Sequence, residues 1–539
     1  MLLQLLILLT SGLLLAIVGL VISKAILDRM AIIRFKKLSR GLPIGPDYNL
    51  LGNHIRTMIV SENNSKTLQQ WHQELGNTLG ILKGSNFVAS TIDLDVIKVF
   101  VQDEPDNHLD RMPVGLPLEE FEHSIMLAPK NEWRQLRRAI APALASNKFK
   151  APNVVQEIEE SVSRLITYIE RRLDSTPTTI DTAISRRSSS SDQSPNQFVA
   201  DDFVHKYSLD LVFRCLYKQS DLIDFDSPHD LWTTTLDESL NQAHYNPFVK
   251  LSMVFPAFRR FVDWLHWNFT EHGVYRKKMI GFIKSQTKLG LEARKQLAEL
   301  SEEAQRRGVK FDSNDFVLKD GTRFRRNMID YIIDQFLDGK ISKTQYFNNS
   351  CFLLGAADKT ATDCLVHTIY LLSVNQAIQD KLRNSIEAHG LDSEYLDWVL
   401  KESLRVLPPA PIGCSRTITR DIEIEGGRHV IPAGTCVITN AYVIHRLKKY
   451  WGEDADEFKP ERWSDTSHHH PFQYIPFGAG PRGCPGKQFA MFTMKMFLTS
   501  LLKRYKLEGK PRDDVYQFHT PMFIFVIPNS PTKVIITRL

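Results

Sequence analysis

The chain opens with an unbroken apolar run. No residue from Leu2 to Ile22 is charged, and a helix of that length, at ~1.5 Å per residue, spans roughly the 30 Å hydrocarbon core of a bilayer. Basic residues follow between Lys24 and Arg40 with only Asp28 opposing them, a bias that keeps the following domain cytosolic. A cleaved signal peptide is the alternative, but it requires positive charge before the run and a small-residue cleavage site, and neither is clear. The pattern predicts an N-terminal membrane anchor at 1–23.

The rest of the chain has the pattern of one large domain. A basic stop and a Pro/Gly hinge at 24–53 lead into residues 54–539, where helical periodicity dominates to about residue 405. The segment Tyr346–Gln376 is apolar over most of its circumference, as in a helix buried at the centre of a domain. Two polar stretches interrupt the pattern. Residues 185–195 predict a disordered surface loop, and residues 293–327 predict a second solvated excursion.

Beyond Pro408 and Pro409 the pattern changes to short alternating runs. The runs "DIEIEGG" and "HVIPAGTCVI" flank Gly426 and Gly427, which predict a hairpin turn. The predicted fold class is therefore mainly α with a small β region near the end of the chain.

Composition excludes little. Hydrophobic residues make up 43% of the chain, charged residues 24%, and the net charge of +5 is too small to indicate nucleic-acid binding. The six cysteines form no CxxC pair, and thiols in the cytosol are kept reduced, so no disulfide framework is predicted. Three consecutive histidines, His468 to His470, have no acidic or thiol ligand at metal spacing, which favours a solvated loop.

One cysteine has an unusual context. The stretch "FGAGPRGCPG" surrounds Cys484 with glycines, prolines and Arg482, just before the predicted helix "GKQFAMFTMKMFLTSLLKRY". Backbone N–H groups, positive charge and a helix N-terminus all favour a thiolate, and Pro485 suits a first helical turn. A lone thiolate does not satisfy tetrahedral zinc, whereas a haem iron brings four ligands of its own and needs one from the chain.

These residues match a known pattern, FxxGxRxCxG, and the stretch Phe477 to Gly486 resembles the haem-binding loop of the cytochrome P450 superfamily. The resemblance extends over roughly residues 40–539. It implies the P450 fold with haem b as cofactor, Cys484 as the axial ligand of the iron, and a loop formed by Phe477, Gly478, Arg482 and Gly486. It further implies haem-propionate contacts from Trp133 and Arg137 in "WRQLR", and from Arg416 and Arg482. Finally, it implies a structural triad of Glu402 and Arg405 in "ESLR" with Arg462 in "PERW".

The resemblance also implies an activity. The chain is similar to the membrane-anchored animal detoxification group, monooxygenases of the endoplasmic reticulum membrane that insert one oxygen atom from O2 into a lipophilic small molecule. No flavin or nicotinamide fingerprint is present, so NADPH-cytochrome reductase is the expected electron donor. Seven basic residues are expected to face it: Lys130, Arg134, Arg138, Lys148, Lys150, Lys487 and Lys495. The substrate pocket is expected along the 346–376 helix and near 105–125, 220–255, 407–413 and 519–525. The aromatic segment 245–269 is expected either to dip into the bilayer or to pack in the core.

One departure from the family pattern concerns oxygen chemistry. The family's central helix carries an acid followed by an alcohol that relay protons, and here the aligned residues are Asp358 and Lys359, with Thr360 displaced by one position. Thr360 reaches the vacated direction only through a local bulge of the helix. Either Lys359 or water relays the protons, or the chemistry needs no relay, and the loss of the alcohol is expected to weaken oxygen activation. The alternative activity is therefore a haem-thiolate isomerase or dehydratase acting on a peroxide; a non-catalytic haem-binding membrane protein is a third reading.

Overall fold

The computed structural model describes most of the chain: residues 2–46, 64–83, 86–108, 110–111, 121–175, 196–238, 259–308, 312, 315–319, 321, 323–326, 328–511, 518–519, 527–528 and 530–539. Within that part of the chain, no helix combines the length and the apolar character of a membrane-crossing segment.

Helices dominate the structure, as predicted. The helices before the central one are α1 Leu2–Leu38, α2 Asn64–Leu75, α3 Leu94–Lys98, α4 Lys130–Ile140, α5 Ser146–Phe149, α6 Pro152–Asp174, α7 Ala200–Tyr217, α8 Leu231–Leu236, α9 Arg259–Phe269, α10 Glu271–Arg306 and α11 Met328–Leu337. The later helices are α12 Lys343–Val374, α13 Gln376–His389, α14 Glu394–Val406, α15 Ala441–Ile444, α16 Lys448–Trp451 and α17 Lys487–Leu502.

The strands form small sheets at the edge of the helices. They are β1 Thr78–Lys83, β2 Asn86–Thr91, β3 Gln197–Val199, β4 Asp315–Val317, β5 Arg323–Arg325, β6 Ile412–Thr417, β7 Ile422–Ile424, β8 His429–Ile431, β9 Cys436–Asn440, β10 Tyr505–Glu508, β11 Phe518–His519, β12 Ile527–Pro528 and β13 Lys533–Arg538. The largest sheet has the order β1-β2-β9-β6, with β2 and β9 parallel and the other pairs antiparallel. A second sheet has the order β10-β13-β3.

The centre of the fold is α12, the helix predicted at 346–376. Its N-terminus is fixed by a capping box in which the Ser342 side chain accepts from the amide of Gln345, and the Gln345 side chain accepts from the amide of Ser342. Leu354, Leu365 and Ile369 are fully or almost fully buried along the helix, within the main hydrophobic core. A helix buried on most sides offers little solvent-facing surface, so polar side chains on it require partners.

Sequence patterns located the late β region but not the early one. The hairpin at Gly426 and Gly427 is confirmed, because β7 pairs with β8 and both glycines have positive φ. Helices dominate the chain up to residue 405, as predicted, but β1 and β2 lie in that part as well and join the largest sheet through β9. β1 pairs with its neighbour β2, whereas β2 also pairs with the distant β9, a contact that local periodicity does not reveal.

Other predictions were wrong in part. The stretch 293–327 is not wholly a solvated excursion, because α10 continues to Arg306, β4 pairs with β5, and Phe316 is buried with Ala293. The histidine run is not wholly solvated either, because the ring of His469 packs against the neighbouring tryptophan rings of Trp451 and Trp463.

Some predicted features lie outside the described residues. They are part of the hinge (47–53), the loop 185–195, three parts of the expected pocket (112–120, 239–255 and 520–525), and residues 245–258 of the aromatic segment.

Candidate functional site

The loop before Cys484 folds back on itself in a way that requires glycine. Gly478 and Gly480 both have φ near +67°, at 68° and 67°. A Cβ on Gly478 would lie 2.7 Å from the carbonyl oxygen of Gly413, and one on Gly480 would lie 2.6 Å from that of Val101. Any side chain at these two positions would therefore meet backbone as well as adopt a strained conformation.

This turn brings the thiol to the start of α17. The Cys484 amide donates to the carbonyl of Phe477 at 2.8 Å, which closes the loop. The Cys484 side chain is the exposed one among the six cysteines, and the amides of Gly486 and Lys487 lie at its sulfur. A Cβ on Gly486 would lie 3.9 Å from that sulfur. Pro485 precedes the helix rather than forming its first turn, because α17 begins at Lys487.

The Cys484 residue is exposed, but the protein atoms packed around its sulfur still affect the pKa of the thiol. Burial raises the pKa of Cys484, although the Gly486 and Lys487 amides and the charges of Arg137 and Arg111 oppose this effect. Arg482, expected to supply that charge, instead donates to the carbonyls of Ala128 and Met126 at 2.7 and 3.4 Å. Because burial opposes the charged form of the thiol, a metal cation bound to the sulfur would favour the thiolate.

Three guanidinium groups meet at the cysteine loop, since Arg111 donates to the carbonyl of Arg482 and Arg416 to that of Ala479. Arg416 and Arg482 are buried, and Arg111 is partly buried. Desolvation and mutual repulsion lower the pKa of Arg482 to about 9 and that of Arg111 to about 10, and desolvation lowers the pKa of Arg416. The Nε atoms of Arg111 and Arg482 are buried and have no hydrogen-bond partner among the described residues. The cluster thus has positive charge and free donors in excess of what its surroundings satisfy.

A group that carries two carboxylates fits this cluster. The two propionates of haem would supply the missing negative charge and acceptors, and the thiol at the start of α17 would supply the one protein ligand that the iron needs. Trp133, another predicted contact, is buried with the guanidinium of Arg482 4.8 Å above its ring. The residues present therefore fit haem.

Arg137 connects α4 to the cysteine loop. Its Nη1 atom donates to the carbonyl of Gly483 at 3.0 Å, directly before Cys484. Trp133 and Leu136 on α4 are buried, while Arg138 is exposed. Arg137 thus fixes the helix against the loop and brings a positive charge close to the thiol.

Two members of the predicted triad, Glu402 and Arg405, are completely buried, and the third, Arg462, is 10% exposed. Arg405 donates to both carboxylate oxygens of Glu402, at 2.9 and 2.8 Å, and Arg462 donates to one of them at 2.7 Å. Trp463 Nε1 donates to the other oxygen at 2.9 Å. The remaining Arg405 donors reach the carbonyls of His445, Ala455 and Glu457. This network joins α14 to the segment that leads into the cysteine loop.

The acid of the central helix is not free. His205 on α7 lies 2.9 Å from Asp358 Oδ2, and Thr362 donates to Oδ1 at 3.4 Å. Asp358 and Asp237 raise the pKa of the buried His205 well above its usual value, against the effect of desolvation. Asp358 therefore holds α7 against α12 through an ion pair.

The next two positions also differ from expectation. Lys359 pairs with Asp363, one turn further along α12, at 2.7 Å, and not with Asp358. The helix is regular through this region, without a bulge, and the Thr360 hydroxyl donates to the carbonyl of Ala356 at 2.8 Å. Thr360 therefore does not occupy the direction that Lys359 takes.

Sequence reasoning missed two members of the site. Arg111 joins Arg416 and Arg482, but a single arginine in a polar stretch has no spacing that reveals a role. Asp363 pairs with Lys359, and its i,i+4 spacing was a signal available in the sequence.

Comparison with known proteins identifies the family. The model of the family described as cytochrome P450 matches residues 43–536, so the chain belongs to the cytochrome P450 family, whose members carry haem and are typically monooxygenases. It is 27% identical over 461 residues to putative cytochrome P450 CYP13A8 of Caenorhabditis elegans, covering 82% of this chain and 84% of that protein. It is 25% identical over 495 residues to cytochrome P450 3A5 of Homo sapiens, covering 88% and 86%. The predicted family, enzyme class and haem cofactor are confirmed.

The guanidinium cluster makes a direct prediction. Replacing Arg111 with methionine removes one charge-assisted donor, so haem affinity should fall about tenfold, the equivalent of one such hydrogen bond. A haem titration of the apoprotein, followed by Soret absorbance, measures this. Arg138→Met on the exposed side of α4 is the control and should bind like the unmodified protein. Equal affinity in Arg111→Met and the control would show that Arg111 has no part in holding the cofactor.

Proposed function

We propose that this protein is a membrane-bound haem-thiolate monooxygenase that inserts one oxygen atom from O2 into a lipophilic small molecule, with electrons from NADPH delivered by a reductase. The observation that carries the proposal is the combination at the cysteine loop: an exposed thiol at the start of a helix, and three guanidinium groups, of which Arg111 and Arg482 have Nε atoms without a hydrogen-bond partner among the described residues. Haem b, bound there, supplies the iron at which O2 is activated, and a thiolate ligand favours O–O cleavage.

Each residue around the cofactor has a proposed task. Cys484 is the axial ligand, and the amides of Gly486 and Lys487 stabilise its negative charge. Arg111, Arg416 and Arg482 bind the propionates, together with Trp133 and Arg137 as the family resemblance implies. Phe477 and Gly478 form the turn that holds the sulfur in place. The Glu402 network holds the segment that leads into this turn against α14.

A membrane surface is proposed as the source of the substrate. The segment 1–23 is the proposed anchor, on the basis of its uncharged sequence and the basic residues that follow. Among the described residues of the aromatic segment, Phe261, Trp264 and Phe269 on α9 are exposed, at 58%, 54% and 70%. Large exposed aromatic side chains on one short helix favour contact with lipid over core packing, at a depth where lipophilic molecules concentrate. The endoplasmic reticulum membrane is the proposed location, with the catalytic domain in the cytosol.

The proposed docking surface for the reductase lies on the cysteine side. Arg138, Lys150 and Lys487 are exposed there, and a positive surface attracts an acidic partner over a distance. Two of the seven predicted residues contribute less, because Arg134 is paired with Asp106 at 2.7 Å and the largely buried Lys495 with Asp397 at 2.9 Å. The proposed surface therefore centres on α4 and the first turn of α17.

Reconstitution tests the activity. The full-length protein in lipid vesicles, with NADPH-cytochrome reductase and a panel of lipophilic compounds that perturb its Soret spectrum, should consume NADPH and O2 and form a hydroxylated product. Omitting the reductase should abolish product formation. Rearrangement of a hydroperoxide without NADPH, and no product with it, would instead identify the isomerase or dehydratase.

Glycosylation tests the orientation. Asn268 begins the sequon "NFT" and is exposed, so it would be modified if the domain entered the lumen of the secretory pathway. We expect it to be bare in a eukaryotic membrane fraction, as measured by mass spectrometry. Asn348 is buried and thus uninformative, while Asn63 lies outside the described residues. Glycan on Asn268 would reverse the proposed orientation.

A further inference from the structure

A buried histidine lies between the Glu402 network and the cysteine loop. His445 follows the short helix α15 and is completely buried. Its carbonyl accepts from Arg405 Nη1 at 2.8 Å, and its ring nitrogen Nε2 accepts from the amide of Ile475 at 2.9 Å. One residue therefore contacts both the buried network and the segment that leads into the loop around Cys484.

Ile475 is linked to the thiol by two further backbone hydrogen bonds. The carbonyl of Ile475 accepts from the amide of Gly478 at 3.0 Å, and the carbonyl of Phe477 accepts from the amide of Cys484 at 2.8 Å. The Ile475 side chain packs closely on β6, since a Cβ added to Gly413 would lie 2.6 Å from its Cδ1 atom. A displacement of Ile475 is therefore expected to move the turn that holds the thiol.

The surroundings of the His445 ring fix its direction. The ring centroid lies 5.4 Å from that of Tyr474 and 6.5 Å from that of Trp451. The backbone beside it is also held, because Arg446 donates to the carbonyl of Val406 at the end of α14. A side chain locked by packing holds its acceptor in place with little further loss of conformational freedom.

The charge state of the imidazole suits an acceptor. A ring nitrogen accepts a hydrogen bond only while it carries no proton. Burial lowers the pKa of His445 well below its usual value, and the positive charges of Arg405 and Arg446 lower it further, against the carbonyls of Arg405 and Leu404. The ring is therefore neutral near pH 7, with its proton on Nδ1 and with Nε2 available to the Ile475 amide.

We propose that His445 is a positioning residue for the axial ligand: it holds the cysteine loop by accepting the Ile475 amide, while its own backbone is held by Arg405. The inference rests on the proposed role of Cys484 as the ligand of the haem iron. His445 acts through Ile475 and Gly478, and it extends the Glu402 network to the loop.

Two substitutions separate hydrogen bonding from packing. His445→Phe keeps an aromatic ring but has no acceptor, so the buried Ile475 amide loses its partner. His445→Gln carries an amide oxygen that reaches about as far from the backbone as Nε2 and can accept. His72→Phe is the matched control. His72 is also buried, burial lowers its pKa to about 4, and its ring contacts Ser90 and the carbonyl of Gly76 instead of the cysteine loop.

The first test measures the hydrogen bond itself and is independent of turnover. Hydrogen–deuterium exchange of the full-length, haem-loaded protein follows the Ile475 amide. His445→Phe should speed its exchange about tenfold, the equivalent of one hydrogen bond, whereas His445→Gln and His72→Phe should stay close to the unmodified protein. Unchanged exchange in His445→Phe would overturn the inference. Exchange in His445→Gln as fast as in His445→Phe would also overturn it, because ring packing would then protect the amide.

The second test measures the effect on the ligand. On mild warming, the ferrous carbon monoxide complex of His445→Phe should lose its red-shifted Soret band faster than the unmodified protein by a similar factor. His445→Gln should retain most of the band, and circular dichroism of the helices verifies that the loss precedes unfolding. Equal rates of loss in His445→Phe and His72→Phe would indicate general destabilisation and would contradict a positioning role.

The outcomes separate the positioning role from the function on which it rests. Fast exchange at Ile475 with an undisturbed red-shifted band in His445→Phe would overturn the positioning role and leave Cys484 as the ligand. An unmodified protein without any red-shifted band would overturn the proposed function and the positioning role together.

Discussion

The structure depends on one buried carboxylate. Glu402 is completely buried and holds Arg405, Arg462 and Trp463 around its two oxygens. Such a charge is tolerated in the interior only while every partner remains, and loss of one partner typically costs about 3–5 kcal/mol. The requirement fixes α14 against the segment that ends in the cysteine loop. The position of the thiol relative to the helices therefore depends on an interaction between residues outside the cysteine loop.

A second electrostatic constraint acts at the site itself. The guanidinium cluster consists of Arg111, Arg416 and Arg482, whose pKa values are all lowered by burial. The cluster is unfavourable on its own, and a dianionic cofactor relieves it. Burial also raises the pKa of the Cys484 thiol, and a metal cation bound to the sulfur would lower it again. Fold and cofactor are thus coupled, since binding that compensates unfavourable charges also stabilises the protein.

Features that depend on residues close together in the sequence were predictable, whereas those that depend on contacts between distant residues were not. The loop around Cys484 was predictable because a Cβ at Gly478 or Gly480 would clash with backbone atoms. Only glycine fits at these positions, so the constraint is visible as glycines at fixed places in the sequence. The pairing of Lys359 with Asp363 could have been predicted from their spacing. That Asp358 is not the partner could not, because Asp358 pairs with His205 on the distant helix α7. Arg111 was not predictable, because its role arises only when the chain brings it beside residues more than 300 positions away. Pairing across such separations leaves no local periodicity.

The central claim is that Cys484 ligates the haem iron through its sulfur, and one spectrum tests it most directly. The ferrous carbon monoxide complex of the full-length protein should have the red-shifted Soret band of a thiolate ligand. Cys484→Ser should lose that band, whereas Cys414→Ser should retain it, although Cys414 Sγ accepts from the Ala479 amide within the same loop. Retention of the red-shifted band in Cys484→Ser would contradict the account.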